Sequence, residues 1–267
     1  MPTMSRQNKI KINQLLREWP LGTVSVYPWL ANKGFNRKLI ERYKKSGWVS
    51  PVGRGAVKRL DDQPQWEGGI YALQEQLHLP VHIGGKTALQ MSGYAHFLPM
   101  TNKGVVYLFK PIETRLPGWF QKYDWGRSVE IVGAKLFLGE KRLGLTEKKL
   151  GTFAVKVSSP ERAILEDLYL VPQQESFEEA YYLMEGLRTL RPAMVQSLLE
   201  SCNSIKAKRL FMYMADKSNQ TWVKKLDLKK IDLGKGKRAV VKGGVFDKKY
   251  QITIPKNYYP ETEEPSK

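Results

Sequence analysis

The chain has 267 residues, 42% of them hydrophobic and 11% aromatic, enough to bury the cores of two domains and too apolar for a disordered polymer. Its 44 Lys+Arg against 26 Asp+Glu give a formal charge of +18, which suits an acidic partner, nucleic acid being the commonest. The lone cysteine, Cys202, excludes an internal disulfide and a cysteine-based zinc site.

The charge is gathered at two poles. Residues 1–62 hold 13 Lys+Arg against 4 Asp+Glu and residues 205–259 hold 15 against 4, whereas residues 63–204 hold 15 of each. No apolar run approaches the ~20 residues of a bilayer span. The opening Met1-Pro2-Thr3-Met4-Ser5-Arg6 lacks the apolar core of a signal peptide, so a cytoplasmic location is expected.

In chain order, Ile10, Ile12, Leu15, Leu16 and Trp19 follow a helical period over residues 6–19, ended by Pro20. Ser25 is a candidate cap for a short helix with Trp29 and Leu30 on its inner face, stopped by Asn32-Lys33-Gly34. Asn36 is the candidate cap of a second helix over 37–46, in which Leu39, Ile40 and Tyr43 share one buried face. The other face carries Arg37, Lys38, Arg42, Lys44 and Lys45 against the single acid Glu41. Residues 48–52 and 56–60 read as two strands around Gly53-Arg54-Gly55, so the order is helix, turn, helix and wing. A helix of this length fits the DNA major groove, and an arginine at the wing tip can reach the neighbouring backbone or minor groove.

Beyond the wing, the period predicts a helix over 66–77 despite Gly68-Gly69, then a short strand at Val81-His82-Ile83, then a helix opened by Gly84-Gly85-Lys86-Thr87. Strands are predicted at 105–109, 129–132, 134–138 and 152–157, with the aromatic run between 116 and 126 as packing. Ser158 and Glu161 fit a capping box, with Pro160 in the first turn of a helix lined by Ala163, Ile164, Leu165 and Leu168. Helices are predicted over 177–187, 192–201 and 205–216. Two strands across Gly243-Gly244 follow, and residues 259–267, rich in Glu and Pro, are expected to be a disordered tail.

Catalytic signatures are weak. Gly84-Gly85-Lys86-Thr87 invites a phosphate loop, but Pro80 stands where the pattern needs its first glycine. His78, His82 and His96 do not form an i, i+4 pair on one helix, because Pro80 separates the first two. No serine sits in a nucleophile elbow, and the acidic pairs Glu166-Asp167 and Glu178-Glu179 are expected on solvated helix faces. No cofactor, metal or catalytic residue is therefore assigned.

The stretch from Arg37 to Tyr43, Lys45-Ser46-Gly47-Trp48, Gly53-Arg54-Gly55, Gly85-Lys86-Thr87-Ala88-Leu89 and His96-Phe97-Leu98-Pro99 resembles the AbiEi family, the abortive-infection antitoxins of type IV toxin-antitoxin systems. The likeness continues through Ser158-Ser159-Pro160-Glu161-Arg162-Ala163-Ile164-Leu165-Glu166, Met184-Glu185-Gly186-Leu187, Val241-Lys242-Gly243-Gly244 and Tyr250-Gln251-Ile252-Thr253-Ile254-Pro255. One departure is Ala56-Val57-Lys58-Arg59 after the wing, where a typical member is expected to carry an aromatic. The resemblance implies an N-terminal domain that binds inverted repeats in its own promoter and represses the operon. It further implies a C-terminal domain that counteracts a nucleotidyltransferase-like toxin, with no stable complex required.

The expectation is an α+β protein: an N-terminal winged helix-turn-helix over 1–94, a larger mixed α/β domain over 95–258, and the tail. Arg37, Lys38, Arg42, Lys44, Lys45, Arg54 and Lys58 are the candidate contacts to double-stranded DNA. Lys225, Lys237, Arg238, Lys242 and Lys249 form a candidate second basic surface for DNA or toxin antagonism. The expected function is a non-enzymatic antitoxin and autorepressor. The alternatives are a winged-helix regulator whose C-terminal domain senses a ligand or oligomerises without a toxin partner, and a nucleic-acid-processing enzyme, which the lack of a carboxylate cluster disfavours.

Overall fold

Helix α1 (Arg6–Glu18) supplies the first wall of the N-terminal core, with Ile12, Leu15 and, just beyond its end, Trp19 buried. In the computed structural model, residues 6–94, 104–138 and 142–258 are described, with side chains from residue 11 onward; the His96-Phe97-Leu98-Pro99 motif and the expected tail lie outside them. After β1 (Ser25–Val26) come α2 (Tyr27–Asn32), α3 (Arg37–Lys45), β2 (Val49–Gly53) and β3 (Ala56–Arg59). The strands form an antiparallel sheet in the order β1-β3-β2. Leu30, Phe35, Leu39, Ile40, Tyr43, Val49 and Val57 close the core against α1. This is the winged helix-turn-helix, with a third strand that the sequence reading lacks.

That strand corrects the assignment of Ser25. Ser25 pairs with Val57 in extended conformation, and the N-cap of α2 is Val26, which makes no side-chain cap bond. Pro28, in the first turn, sets the start of α2. The open edge of β1 is satisfied by an amide side chain: Val26 N–H donates to Gln76 Oε1 at 2.9 Å and Gln76 Nε2 donates to the Val24 carbonyl at 3.0 Å. Gln76 ends a π-helical stretch (Ala72–Gln76) that continues α4 (Trp66–Tyr71). Gln74 in the same stretch donates to the Val81 and Lys156 carbonyls and accepts from Lys156 N–H. Gly68 and Gly69 are present because α4 lies too close to its neighbours for a side chain. A Cβ on Gly68 would overlap the Gly22 carbonyl, and one on Gly69 would lie 2.5 Å from the Trp125 ring.

The chain folds into two units, each of which it enters more than once: Met1–His82, Lys103–Gly133 and Glu147–Val157 make one; Ile83–Asn102, Ala134–Thr146 and Ser158–Lys267 make the other. The first holds the winged helix and the body of a five-stranded sheet, formed by β4 (His82–Ile83), β5 (Val106–Lys110), β6 (Val129–Gly133), β7 (Leu145–Leu150) and β8 (Phe153–Ser158). Its order is β6-β5-β4-β8-β7, with β5 and β6 parallel. The link between β5 and β6 carries α6 (Gly118–Lys122) and an aromatic cluster of Trp119, Phe120, Tyr123 and Trp125 that packs rather than faces solvent. One expected strand is absent here and an unexpected one is present. Residues 134–138 form no strand, only a single bridge from Phe137 to Cys202. The charged run Leu145–Leu150, with no apolar alternation to announce it, is an exposed strand at the sheet edge.

The second unit is mainly helical: α5 (Gly85–Met91), α7 (Pro160–Leu170), α8 (Phe177–Gly186), α9 (Pro192–Ser201) and α10 (Ile205–Lys217), with α7 packed against the other four. The capping box does not form. Ser159 is the N-cap, the Ser158 hydroxyl donates to Glu166 Oε2 at 2.7 Å, and Glu161 is held by Arg191. A small sheet of β9 (Arg238–Ala239), β10 (Val245–Asp247) and β11 (Ile252–Ile254) ends the unit. The two strands expected across Gly243-Gly244 are β9 and β11, which pair in parallel rather than as a hairpin, and β10 is a further strand between them in sequence. β9 and β10 flank β11, parallel and antiparallel respectively, because Gly244 lets the backbone lie against Ile254.

Candidate nucleic-acid interface

Local chemistry fixes the start of α3. Asn36 Oδ1 accepts from Leu39 N–H at 3.0 Å, and Leu39, Ile40 and Tyr43 anchor the inner face. What remains outside is cationic. Arg37, Lys38, Glu41, Arg42 and Lys45 line one shallow surface depression, and the four cations among them are exposed. Arg54 is exposed at the wing tip between Gly53 and Gly55. The root of the wing is braced: a Cβ on Gly53 would lie 2.8 Å from Trp119 Cβ, so only glycine lets the aromatic cluster abut β2 at this point.

Two predicted DNA contacts, Lys44 and Lys58, also have acceptors within the chain. The Lys44 ammonium donates to the Tyr27 hydroxyl at 2.7 Å and to Glu41 Oε1 at 3.0 Å. Burial alone would lower its pKa, but these two partners outweigh it and raise it. Lys58 donates to the Asp62 carbonyl at 2.7 Å and to Gln63 Oε1 at 3.1 Å. Arg59, outside the predicted set, ties the wing to α1 by donating to the Leu16 and Trp19 carbonyls. The structure therefore brings Arg37, Lys38, Arg42 and Lys45 together as exposed cations, with Arg54 exposed on the wing.

Of the second basic set, Lys237 and Arg238 stand at β9 and Lys242 in the connection after it, all exposed. Lys249, in the β10–β11 turn, is exposed yet donates to Asp216 Oδ2 at 2.7 Å. Lys225 belongs to another element, the 3-10 turn Thr221–Lys225 beside α9. The loop before β9 is organised by Arg209, which sequence reasoning missed. Its guanidinium donates to the carbonyls of Leu233, Gly234, Gly236 and Gln251 at 2.6–3.0 Å, so a cation buried from α10 shapes the loop that exposes Lys235, Lys237 and Arg238.

Two of the four acids expected on solvated faces, Glu166 and Asp167, are buried. Glu166 accepts from Arg162 Nε (2.8 Å), Ser158 Oγ (2.7 Å) and Gly85 N–H (3.2 Å). Lys86 donates to Glu175 and Glu179, both at 2.8 Å, so its ammonium is committed to an internal ion network. Asp167, fully buried, has no side-chain donor among the described residues. Burial first, then the charge of Glu175, push its pKa well above the ordinary aspartate range. Of the two pairs only Glu178 is exposed. The motifs around Lys86 and Glu166 thus meet in space as a structural cluster.

Residues 103–255 match the family described as transcriptional regulator, AbiEi antitoxin, type IV TA system. Residues 8–100 match the AbiEi antitoxin N-terminal domain of the same regulators. The chain belongs to the AbiEi antitoxin family. An AbiEi N-terminal domain is thus followed by a larger C-terminal one, in a mixed helix and sheet architecture. The crystal structure of the RV2827C protein from Mycobacterium tuberculosis is similar, with a TM-score of 0.58 over 94% of this chain and 92% of that one. At 12% identity that likeness concerns the fold alone. No curated protein matches the chain significantly. Among the described residues, no helix is long and apolar enough to cross a membrane.

Proposed function

We propose that this AbiEi antitoxin binds double-stranded DNA through α3 and the wing, represses its own operon at inverted repeats, and counteracts a nucleotidyltransferase-like toxin without a stable complex. It works in the cytoplasm and has no catalytic activity of its own. The observation that carries the DNA reading is the outer face of α3, where Arg37, Lys38, Arg42 and Lys45 surround one depression. Lysine and arginine in such positions set affinity and register through phosphates. Lys44 and Lys58 support the interface from within, since their ammonium groups already have acceptors. Lys225, Lys237, Arg238, Lys242 and Lys249 extend the DNA contact or serve antagonism of the toxin.

The test places the chain's own upstream region before a reporter and co-expresses the adjacent open reading frame in a growth assay. Wild type should repress the reporter and restore growth. The triple variant Arg37→Ala, Arg42→Ala, Arg54→Ala should lose repression and keep rescue. Repression that survives the triple substitution would overturn the assignment of α3, and absence of rescue by wild type would overturn the toxin assignment.

A further inference from the structure

Glu41 is the one acid among the residues lining the depression on α3. A carboxylate there repels phosphate, so it weakens the very contacts its neighbours favour. Its geometry is nonetheless fixed. Oε1 accepts from Lys44 Nζ at 3.0 Å and from the Tyr27 hydroxyl at 3.2 Å, and Tyr27 comes from a different helix, α2. Among the described residues Oε2 has no donor, and the side chain is 47% exposed. The Lys44 ammonium, more than any other group, also holds the Glu41 carboxyl below the ordinary glutamate range, so it stays ionised. The result is a charged acceptor held by two partners through Oε1 on a half-exposed side chain.

We propose that Glu41 reads a base in the DNA major groove, its Oε2 accepting a hydrogen bond from the N4 amino group of a cytosine. The inference rests on the proposed DNA-binding role of α3. Of the groups a major groove presents, the amino groups of cytosine and adenine donate, but the adenine amino group lies beside the N7 acceptor, which faces a carboxylate unfavourably. Glu41 lies one turn of helix from Arg37, Lys38 and Lys45, so phosphate contacts by these flanking cations bring it against base edges rather than backbone. Lys44 and Tyr27 are then positioning residues: they orient the carboxylate and never touch DNA.

The test selects bound sequences from a randomised duplex long enough for two half-sites one helical turn apart, using the full chain, Glu41→Gln, Tyr27→Phe and Lys44→Met. Wild type should enrich a site with a cytosine at one position of each half-site. Glu41→Gln should lose about five- to tenfold discrimination at that position alone, while its affinity for random duplex stays equal or rises with the lost negative charge. Tyr27→Phe and Lys44→Met should relax the same position and no other, a pattern that general weakening of the fold would not produce. Lys44→Arg should retain the preference. Identical motifs from wild type and Glu41→Gln would overturn the inference. Salt-dependent binding of wild type with no cytosine position would overturn this inference alone, whereas no duplex binding at all would overturn the proposed function with it.

Discussion

Two charged regions of this antitoxin look alike in the sequence and behave oppositely in the structure. On α3, Arg37, Lys38, Arg42 and Lys45 face outward around one depression. Around α7, Lys86, Arg162, Glu166, Asp167 and Glu175 are buried, and four of the five are held by ion pairs. The first region leaves its charge open to a partner outside the chain, and the second commits its charge to the chain's own architecture. Substitutions in the two should therefore separate cleanly: stability moves in one case, affinity in the other.

The largest effect is expected at Lys86. Lys86→Met leaves Glu175 and Glu179 without their common cation in a buried site, which should cost about 3–5 kcal/mol in denaturant unfolding. A loss under about 1 kcal/mol would mean that water reaches the cluster and that it resembles the α3 face after all.

Next comes acid. Burial raises the Glu161 pKa, but hydrogen bonds from Arg191 outweigh it and hold the carboxyl at about 2. Because the folded value lies below the ordinary ~4.3, this pair contributes up to about 3 kcal/mol above that pH, lost as pH falls toward 2. Glu161→Gln should accordingly flatten the stability curve between about pH 5 and pH 2, measured by thermal melts across that range.

Asp167 carries the opposite sign. A carboxyl with a raised folded pKa weighs against folding once the pH exceeds its ordinary value of ~3.9, so stability falls as pH rises from there toward the folded value. Asp167→Asn should stabilise by about 1–2 kcal/mol at neutral pH and converge with wild type near pH 4, read from the same melts. The smallest effect is on the outside. Arg37→Ala and Lys38→Ala should leave unfolding within about 0.5 kcal/mol of wild type.

The same contrast explains what the sequence could and could not disclose. α3 was legible because its determinants are local: Asn36 at the cap and Leu39, Ile40 and Tyr43 at helical spacing. β1 was not, since a two-residue strand exists only through its pairing with Val57 and Ala56, some thirty residues away. Glu166 and Asp167 look solvated from the sequence because helical spacing cannot distinguish a solvent face from one covered by α5. Which cations on the winged helix find acceptors within the chain was equally hidden. Lys44 and Lys45 are neighbours in sequence, yet only Lys44 finds Tyr27, which lies 17 residues earlier. The family likeness had a local basis as well, in motifs such as Gly85-Lys86-Thr87 and Ser158-Ser159-Pro160, but their joint role emerged only where Gly85, Ser158 and Arg162 meet Glu166.

In the proposed function, the outer face of α3 and the wing tip neutralise phosphates. The most direct measurement is the dependence of duplex affinity on salt concentration for wild type and for Arg37→Ala, Arg42→Ala, Arg54→Ala, each shown to be folded by its thermal melt. Loss of three phosphate contacts should reduce the slope of log affinity against log salt by about 3. Equal slopes for the two proteins would mean that these three arginines touch no phosphate.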